Sequence, residues 1–202
     1  MADGSATWES VAQKYREAAM TKMDMTKTIK KELTGEENYE GKMFLTKGLF
    51  RMDFTKPEKS IVVYDGKYIW NEQAPSADFG GKAQVSKTKI DKKNEMLRLV
   101  TTVFEKGVLQ KLFKIESEKV VHDEKYKKDI TIIKARPLTK ELPMKLLVLG
   151  VDLKDQLVTE IGYTDDIDNQ TIMHFSNIEF SSDLDKKLFK YKPPKGAQVT
   201  NL

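Results

Sequence analysis

Large apolar side chains alternate with polar ones along residues 41–70, and the fold prediction for the whole chain starts from this stretch. Within residues 49–54, the side chains of Phe50, Met52 and Phe54 share one side of the chain while polar side chains take the other. This two-residue period is typical of a strand that is buried on one face. We therefore predict a half-buried strand whose apolar face carries these three residues.

A hairpin is predicted directly after this strand. Asp65-Gly66 supplies the residue types that a two-residue turn needs, and it separates apolar segments at 61–64 and 68–70. Both faces of this hairpin carry apolar side chains, so the pattern leaves open which face is buried inside. The competing sets are Ile61, Val63, Tyr68 and Trp70 on one side and Val62 and Ile69 on the other.

Two segments show the spacing of amphipathic helices. Residues 7–20 place apolar side chains at helical spacing, beginning with Trp8. Residues 94–106 form a second predicted helix, with Asn94 as its cap and Gly107 as its stop signal. Its apolar stripe is wide enough to need a partner surface. The stripe consists of Met96, Leu97, Leu99, Val100, Val103 and Phe104.

Most of the remaining chain alternates between short extended segments and polar turns. Residues 34–38 are predicted as a turn and residues 183–188 as a short helix. Strands are predicted at residues 23–33, 83–89, 114–121, 130–136, 145–151, 157–163 and 171–180. About ten strands with two long helices cannot form an all-parallel sheet, because each parallel connection needs a crossover. The prediction is an α+β, mainly β fold, in which one curved antiparallel sheet carries helices on its concave side.

Composition narrows the function classes. The chain has 202 residues with a net charge of +4, and its basic residues are interspersed with acidic ones, which argues against nucleic acid as a partner. There is no cysteine, which excludes disulfides, thiolate metal sites and a cysteine nucleophile. No stretch approaches the roughly 20 apolar residues of a membrane span. The start of the chain also lacks the apolar segment of a signal peptide.

Residues that could carry chemistry are few. His122 and His174 are the two histidines, and His174 alternates with apolar residues in a predicted strand, which favours a structural role. Asp165, Asp166 and Asp168 lack the glycine and distal glutamate of a calcium loop, so a solvated turn is favoured. The sequence therefore predicts no enzyme, no cofactor and no metal site.

Methionine is abundant instead. Six of the nine methionines fall on predicted apolar faces, namely Met23, Met25, Met43, Met52, Met96 and Met173. Two interpretations remain open at this point. Methionine can fill gaps in an ordinary core, or it can line a pocket that accepts chains of variable shape.

Two separated motifs resemble the LolA family of outer-membrane lipoprotein carriers. The first is LFRMDFTKP at residues 49–57 followed by SIVVYDGKYIW at residues 60–70, and the second is FKYKPPKGAQV at residues 189–199. The resemblance implies an unclosed β-barrel with a helical lid over an apolar cavity, formed as one domain over residues 1–202. It implies a soluble periplasmic carrier, with the signal peptide already removed, that shuttles lipoproteins from the inner to the outer membrane.

The resemblance also implies partners and site residues. The expected partners of this monomeric, non-inserting carrier are acylated lipoproteins, an inner-membrane ABC-type release complex and an outer-membrane acceptor. The expected cavity residues are Met43, Phe50, Met52, Phe54, Val62, Trp70, Leu97, Val100 and Phe104. Lys47 matches a basic residue that the family uses in lipoprotein handling, but Gly48 follows it where the family has proline, and Met52 replaces a tryptophan.

Two other functions fit the same fold. One is a LolB-like acceptor, which would present an apolar residue on a protruding loop, whereas residues 55–60 are charged here. The other is a regulatory module that senses lipid or mislocalised lipoprotein in the same cavity.

Overall fold

A computed structural model describes residues 4–75, 81–91, 95–124, 127–140 and 142–202 of the chain. The strands in it form one sheet in the order β12-β6-β5-β4-β3-β2-β1-β11-β10-β9-β8-β7. The strand bounds are β1 Met20–Lys31, β2 Gly35–Thr46, β3 Leu49–Lys56, β4 Ser60–Tyr64, β5 Tyr68–Gln73, β6 Gln84–Lys89, β7 Phe113–Asp123, β8 Lys128–Pro137, β9 Met144–Asp152, β10 Leu157–Asp165, β11 Gln170–Ser181 and β12 Gln198–Asn201. The predicted mainly β class with an unclosed, curved sheet is confirmed.

Neighbouring strands pair in antiparallel fashion except at one edge, where β12 runs parallel to β6. Residues directly opposite each other in a ladder point to the same face, so the register sorts the side chains into two sets. We call the face that carries Phe50, Met52 and Phe54 the inner face, and the opposite face the outer face. All three of these residues belong to the main core.

The first helix, α1, spans Gly4–Glu17 and closes over one half of the inner face. Trp8 and Tyr15 are buried on it, and it contacts β7 and β10. The Tyr15 hydroxyl accepts a hydrogen bond of 2.8 Å from the backbone amide of Val158, which ties the helix to β10. The predicted helix ran on to residue 20, but Met20 already belongs to β1.

The second predicted helix is broken, which corrects the prediction of one helix over residues 94–106. A 3-10 turn at Glu95–Arg98 leads into α2 at Leu99–Thr102, and α3 follows at Val108–Leu112. Gly107 separates the two with a φ of +71°, a left-handed conformation that ends a helix. The Thr101 hydroxyl also donates locally to the Arg98 carbonyl, a bond that competes with regular helix geometry. The predicted cap, Asn94, lies outside the described residues.

Three further assignments differ from prediction at polar segments. The predicted turn at 34–38 is wrong, because β2 begins at Gly35 and extends the β1–β2 ladder as a polar ribbon. Ion pairs across this ribbon, such as Lys31 with Glu37, allow charged residues to occupy a strand. The predicted short helix at 183–188 is also wrong: residues 186–189 form turns. Beyond them, β12 adds a strand that the pattern did not predict.

The segment between β11 and β12 crosses the outer face. Phe189 is 2% exposed there, and the backbone carbonyl of Leu188 accepts a hydrogen bond of 3.3 Å from Arg51 on β3. Val63 of β4 and Val85 of β6 are fully buried on the same side of the sheet. The C-terminal segment thus buries an outer apolar patch that is separate from the inner core.

Candidate apolar binding site

A row of methionines crosses the centre of the inner face. Met52 on β3 lies directly opposite Met43 on β2, and Met43 lies opposite Met23 on β1. Val62 on β4 continues the row, because it pairs with Met52. Three adjacent strands therefore contribute the same flexible, unbranched side chain at the same height. Such a surface can repack around apolar chains of different shape.

A second row lies beside the first and contains one glycine. Met25 on β1 sits between Phe175 on β11 and Gly41 on β2, and Gly41 lies opposite Phe54 on β3, just before the register of β2 and β3 shifts. A Cβ atom at Gly41 would collide with the backbone carbonyl of Asp53, so this position requires glycine. The close approach of β2 and β3 keeps the two rows in contact across the sheet.

The inner face is covered by α2 together with the turn that follows it. Val100 and Val103 are buried, and α2 contacts β3. Phe104 packs against α1, with its ring centroid 5.4 Å from that of Trp8 and 4.8 Å from that of Tyr15. These contacts close the apolar face and hold it away from water.

The cover is tied to α1 by polar bonds to its backbone. The indole nitrogen of Trp8 donates to the Val103 carbonyl at 2.8 Å. The guanidinium of Arg16 donates to the Phe104 carbonyl at 3.0 Å, and it is held in place by Glu9. Both bonds use carbonyls at the end of a short helix, which lack intrahelical partners. The segment from Leu99 to Phe104 is therefore held by these two polar bonds as well as by the burial of its side chains.

At the end of the sheet away from the cover, the inner face becomes partly exposed. Tyr39 on β2 and Tyr163 on β10 are half-buried there and pack against the main core. Lys27 occupies the inner face between them, in the next inward position after Met25. Burial lowers the pKa of Lys27, and the charge of Glu37 opposes that effect.

The predicted cavity residues are brought together in large part. Phe50, Met52, Phe54, Met43 and Val62 share the inner face, as their register with one another shows. Val100 and Phe104 lie in the cover and are buried against the sheet. Leu97 is 50% exposed and lies in the 3-10 turn before α2, so its predicted place in an inward stripe is wrong.

Trp70 is placed on the outer face, which corrects its assignment to the cavity wall. It pairs with the outer residue Val63, and its ring centroid lies 5.3 Å from that of Tyr191 in the C-terminal segment. Its indole nitrogen donates to Asp65 in the hairpin turn. The hairpin thus turns Val62 and Ile69 inward, which resolves the alternative left open by the pattern.

Lys47 is exposed in the turn between β2 and β3. Gly48 follows it with a φ of +75°, so this turn uses a glycine conformation that proline cannot adopt. The replacement of the family's proline by Gly48 therefore changes the backbone conformation of the turn as well as the side chain. Lys47 is available at the surface but lies away from the inner face.

The predicted site omitted several inner-face residues, and Lys27 and Tyr39 are the polar ones at the partly exposed end. Lys27 interrupts the apolar parity of Met23, Met25 and Ile29 on one strand, and that interruption was the visible signal. A polar residue at an inward position of a strand is informative, because it must be paired or functional.

The candidate chemical residues are engaged in structural contacts. Asp165 accepts hydrogen bonds from the backbone amides of Ile167 and Asn169, and so holds the β10–β11 turn. On the outer face, His174 Nδ1 lies 3.6 Å from a carboxylate oxygen of Glu160, whose pKa is raised by burial and lowered in part by that histidine. Among the described residues, no group of three or more His, Asp or Glu is arranged to hold a metal ion.

The described part of the chain also contains no helix with the length and apolar character needed to cross a bilayer.

Comparison with known proteins points to one family. Residues 26–192 match the family model described as "Outer membrane lipoprotein carrier protein LolA". An outer-membrane lipoprotein carrier protein of Neisseria meningitidis serogroup B is 22% identical over 174 residues, which cover 86% of this chain and 77% of that protein. The carrier protein of Nitrosospira multiformis is 26% identical over 182 residues, which cover 90% of this chain and 78% of that protein.

Among solved structures, an uncharacterized conserved protein from Thermus thermophilus superposes with a TM-score of 0.57 at 13% identity, covering 98% of this chain and 99% of that protein. This likeness supports the fold of the sheet and its helices. The family model spans most of the chain, including the second half of β1 and all of β2 to β11. The chain belongs to the LolA family of outer-membrane lipoprotein carrier proteins.

Proposed function

We propose that this protein is a soluble periplasmic carrier that shields the acyl chains of lipoproteins against its inner face and shuttles them from the inner to the outer membrane. The chain from residue 1 to residue 202 acts as one carrier unit in this proposal. The observation that carries it is the methionine row of Met52, Met43 and Met23, which spans three strands beneath a cover made of short helices.

The energetics favour a carrier with a movable cover. A triacylated anchor has about 40 methylenes, and burying each contributes about 0.8 kcal/mol, so the gross gain is on the order of 30 kcal/mol. Non-covalent affinities saturate near roughly 20 kcal/mol, and a carrier must also release its cargo. Displacing α2 and the following turn from the inner face costs apolar contacts and therefore offsets part of this gain. The cover thus sets the affinity in a range that permits transfer.

The proposed partners follow from this role. Cargo is received from an inner-membrane ABC-type release complex and delivered to an outer-membrane acceptor. The loop between β3 and β4 is exposed and charged, with Lys56 paired to Glu40, so it lacks the apolar tip expected of a LolB-like acceptor. This feature favours the shuttle over the acceptor. No catalytic step is part of the proposal.

Two adjacent valines offer a matched test of inner-face binding. Val62 faces inward and Val63 faces outward, and each can be changed to threonine with little change in shape. Because a buried hydroxyl without a partner costs about 1–3 kcal/mol, Val62→Thr is expected to weaken binding of a fluorescent tripalmitoylated lipopeptide about tenfold. Val63→Thr is expected to lower thermal stability and leave the dissociation constant unchanged.

The same assay extends to transfer. Lipopeptide loaded on the wild-type protein is expected to move to acceptor liposomes without ATP and in the presence of a chelator. Equal weakening by both valine variants, or no lipopeptide binding at all, would refute the carrier proposal. A regulatory sensor would instead hold lipopeptide without releasing it to liposomes while it binds a second protein.

A further inference from the structure

One basic side chain lies on the otherwise apolar inner face. Lys27 is opposite Tyr39 on β2 and opposite Met173 on β11, two residues after Met25. Its ammonium nitrogen lies 5.7 Å from the ring centroid of Tyr39 and 6.0 Å from that of Phe54. The side chain is half-buried, and the two rings themselves pack edge to face. The ammonium is therefore held over aromatic faces at the partly exposed end of the apolar surface.

The carboxylate whose charge acts on Lys27 already accepts hydrogen bonds from two other residues. Glu37 accepts hydrogen bonds from Lys31 and from the Tyr39 hydroxyl, and its pKa is lowered chiefly by the bond to Lys31. Within the described residues, Lys27 has ring contacts but no hydrogen bond and no ion pair. Desolvated cations are normally in direct contact with an anion, whereas this ammonium feels the charge of Glu37 only from a distance.

We propose that Lys27 binds the anionic head group, a carboxylate or a phosphate ester, of an amphiphile whose acyl chain lies along the inner face. This inference rests on the proposed function and specifies the ligand class. The ammonium lies at the partly exposed end, where a head group meets water, and Met25 and Phe54 lie deeper on the same face. A neutral triacylated anchor makes no use of this charge, whereas a fatty acid or an acidic phospholipid supplies its counterion.

Other charges near this end leave the site available to an anion. Lys31 is paired with Glu37, and Lys56 at the end of β3 is paired with Glu40. Both pairs balance internally. Lys27 is thus an inward-facing cation at this end that contacts aromatic rings and no carboxylate among the described side chains.

The test compares ligands that differ in head group alone. Delipidated protein is titrated with palmitate, with palmitoyl lysophosphatidic acid and with neutral hexadecanol, using displacement of a fluorescent fatty alcohol. The variants are Lys27→Met and the control Lys30→Met. Lys30 lies on the same strand, faces outward and is exposed, with its nitrogen 3.8 Å from Glu36. Both variants remove one positive charge, so any difference in their ligand preference reports the position of the removed charge and not the change in net charge.

We expect the wild-type protein to bind at least one anionic ligand about tenfold or more tightly than hexadecanol, since a charge-assisted hydrogen bond away from water has this strength. Lys27→Met is expected to abolish the preference and to keep the affinity for hexadecanol, which also shows that the variant is folded. Lys30→Met is expected to retain the preference. The tighter of the two anionic ligands identifies a carboxylate or a phosphate source.

Two results would overturn the inference while leaving the carrier proposal intact. They are equal wild-type affinity for all three ligands, and a preference that survives in Lys27→Met. Failure of every acyl ligand, the tripalmitoylated lipopeptide included, would overturn both proposals.

Discussion

The role of the cover can be tested by removing the ring of Phe104. This side chain is 7% exposed and packs between Trp8 and Tyr15 of α1. Truncating a buried phenylalanine to alanine costs about 3–5 kcal/mol. The two aromatic pairs account for about 0.5–1.5 kcal/mol each of such a loss. Phe104→Ala therefore removes a large share of the free energy that holds the cover on the inner face.

If cargo displaces the cover, this loss falls on the empty state alone. A ligand that binds the open state gains affinity when the closed state is destabilised. If about half of the roughly 3 kcal/mol that Phe104→Ala removes from the closed state is recovered as binding free energy, the dissociation constant for the ligand falls about tenfold. We expect Phe104→Ala to lower the midpoint of chemical unfolding and to bind tripalmitoylated lipopeptide about tenfold more tightly.

The control is Ile133→Ala. Ile133 is 0% exposed on β8 and lies beneath the start of α1, where its Cγ2 atom is 3.3 Å from the position of a Cβ on Gly4. Its truncation costs a similar free energy of unfolding, about 2–5 kcal/mol, without touching the cover. We expect no gain in lipopeptide affinity for this variant. Affinity that falls in Phe104→Ala, or that rises equally in both variants, would show that α2 is a fixed wall and not a cover.

Three further outcomes are expected. Lys27→Met should raise the stability of the empty protein by on the order of 1 kcal/mol near neutral pH, because it removes a partly desolvated charge. The pKa of Lys27 is lowered in the folded state, so the folded protein loses this proton at a lower pH than the unfolded chain, and the stability difference should shrink as pH rises from the lowered pKa towards 10.5. Thermal unfolding measured across this pH range will check it. Gly41→Ala should cost about 3 kcal/mol in urea unfolding, because its Cβ meets the backbone of Asp53 and a strand must shift. Phe189→Ala should cost about 3–5 kcal/mol of stability, whereas lipopeptide affinity should stay unchanged because Phe189 packs on the outer face. A parallel loss of affinity would contradict the assignment of binding to the inner face alone.

The alternation of apolar and polar residues determined much of the sheet from sequence alone. Phe50, Met52 and Phe54 face the same interior because a strand places every second side chain on one face. The same local rule correctly located most strands of the chain. It failed where charged residues form strands, as in the first half of β2, because ion pairs with β1 stabilise a ribbon that has no apolar period.

Tertiary structure decided the features that depend on distant parts of the chain. The sequence pattern alone is compatible with either Val62 or Trp70 facing the interior. Trp70 faces outward in the structure, where it packs against Tyr191 of the C-terminal segment. The second predicted helix is shortened to α2, and the carbonyls of Val103 and Phe104 at its end find partners on α1 instead of in a continued helix. Periodicity records which side chains share a face, but not what will cover it. The surroundings of Lys27 were likewise decided by tertiary structure, which places Tyr39 and Phe54 around its ammonium and engages Glu37 in a bond to Lys31.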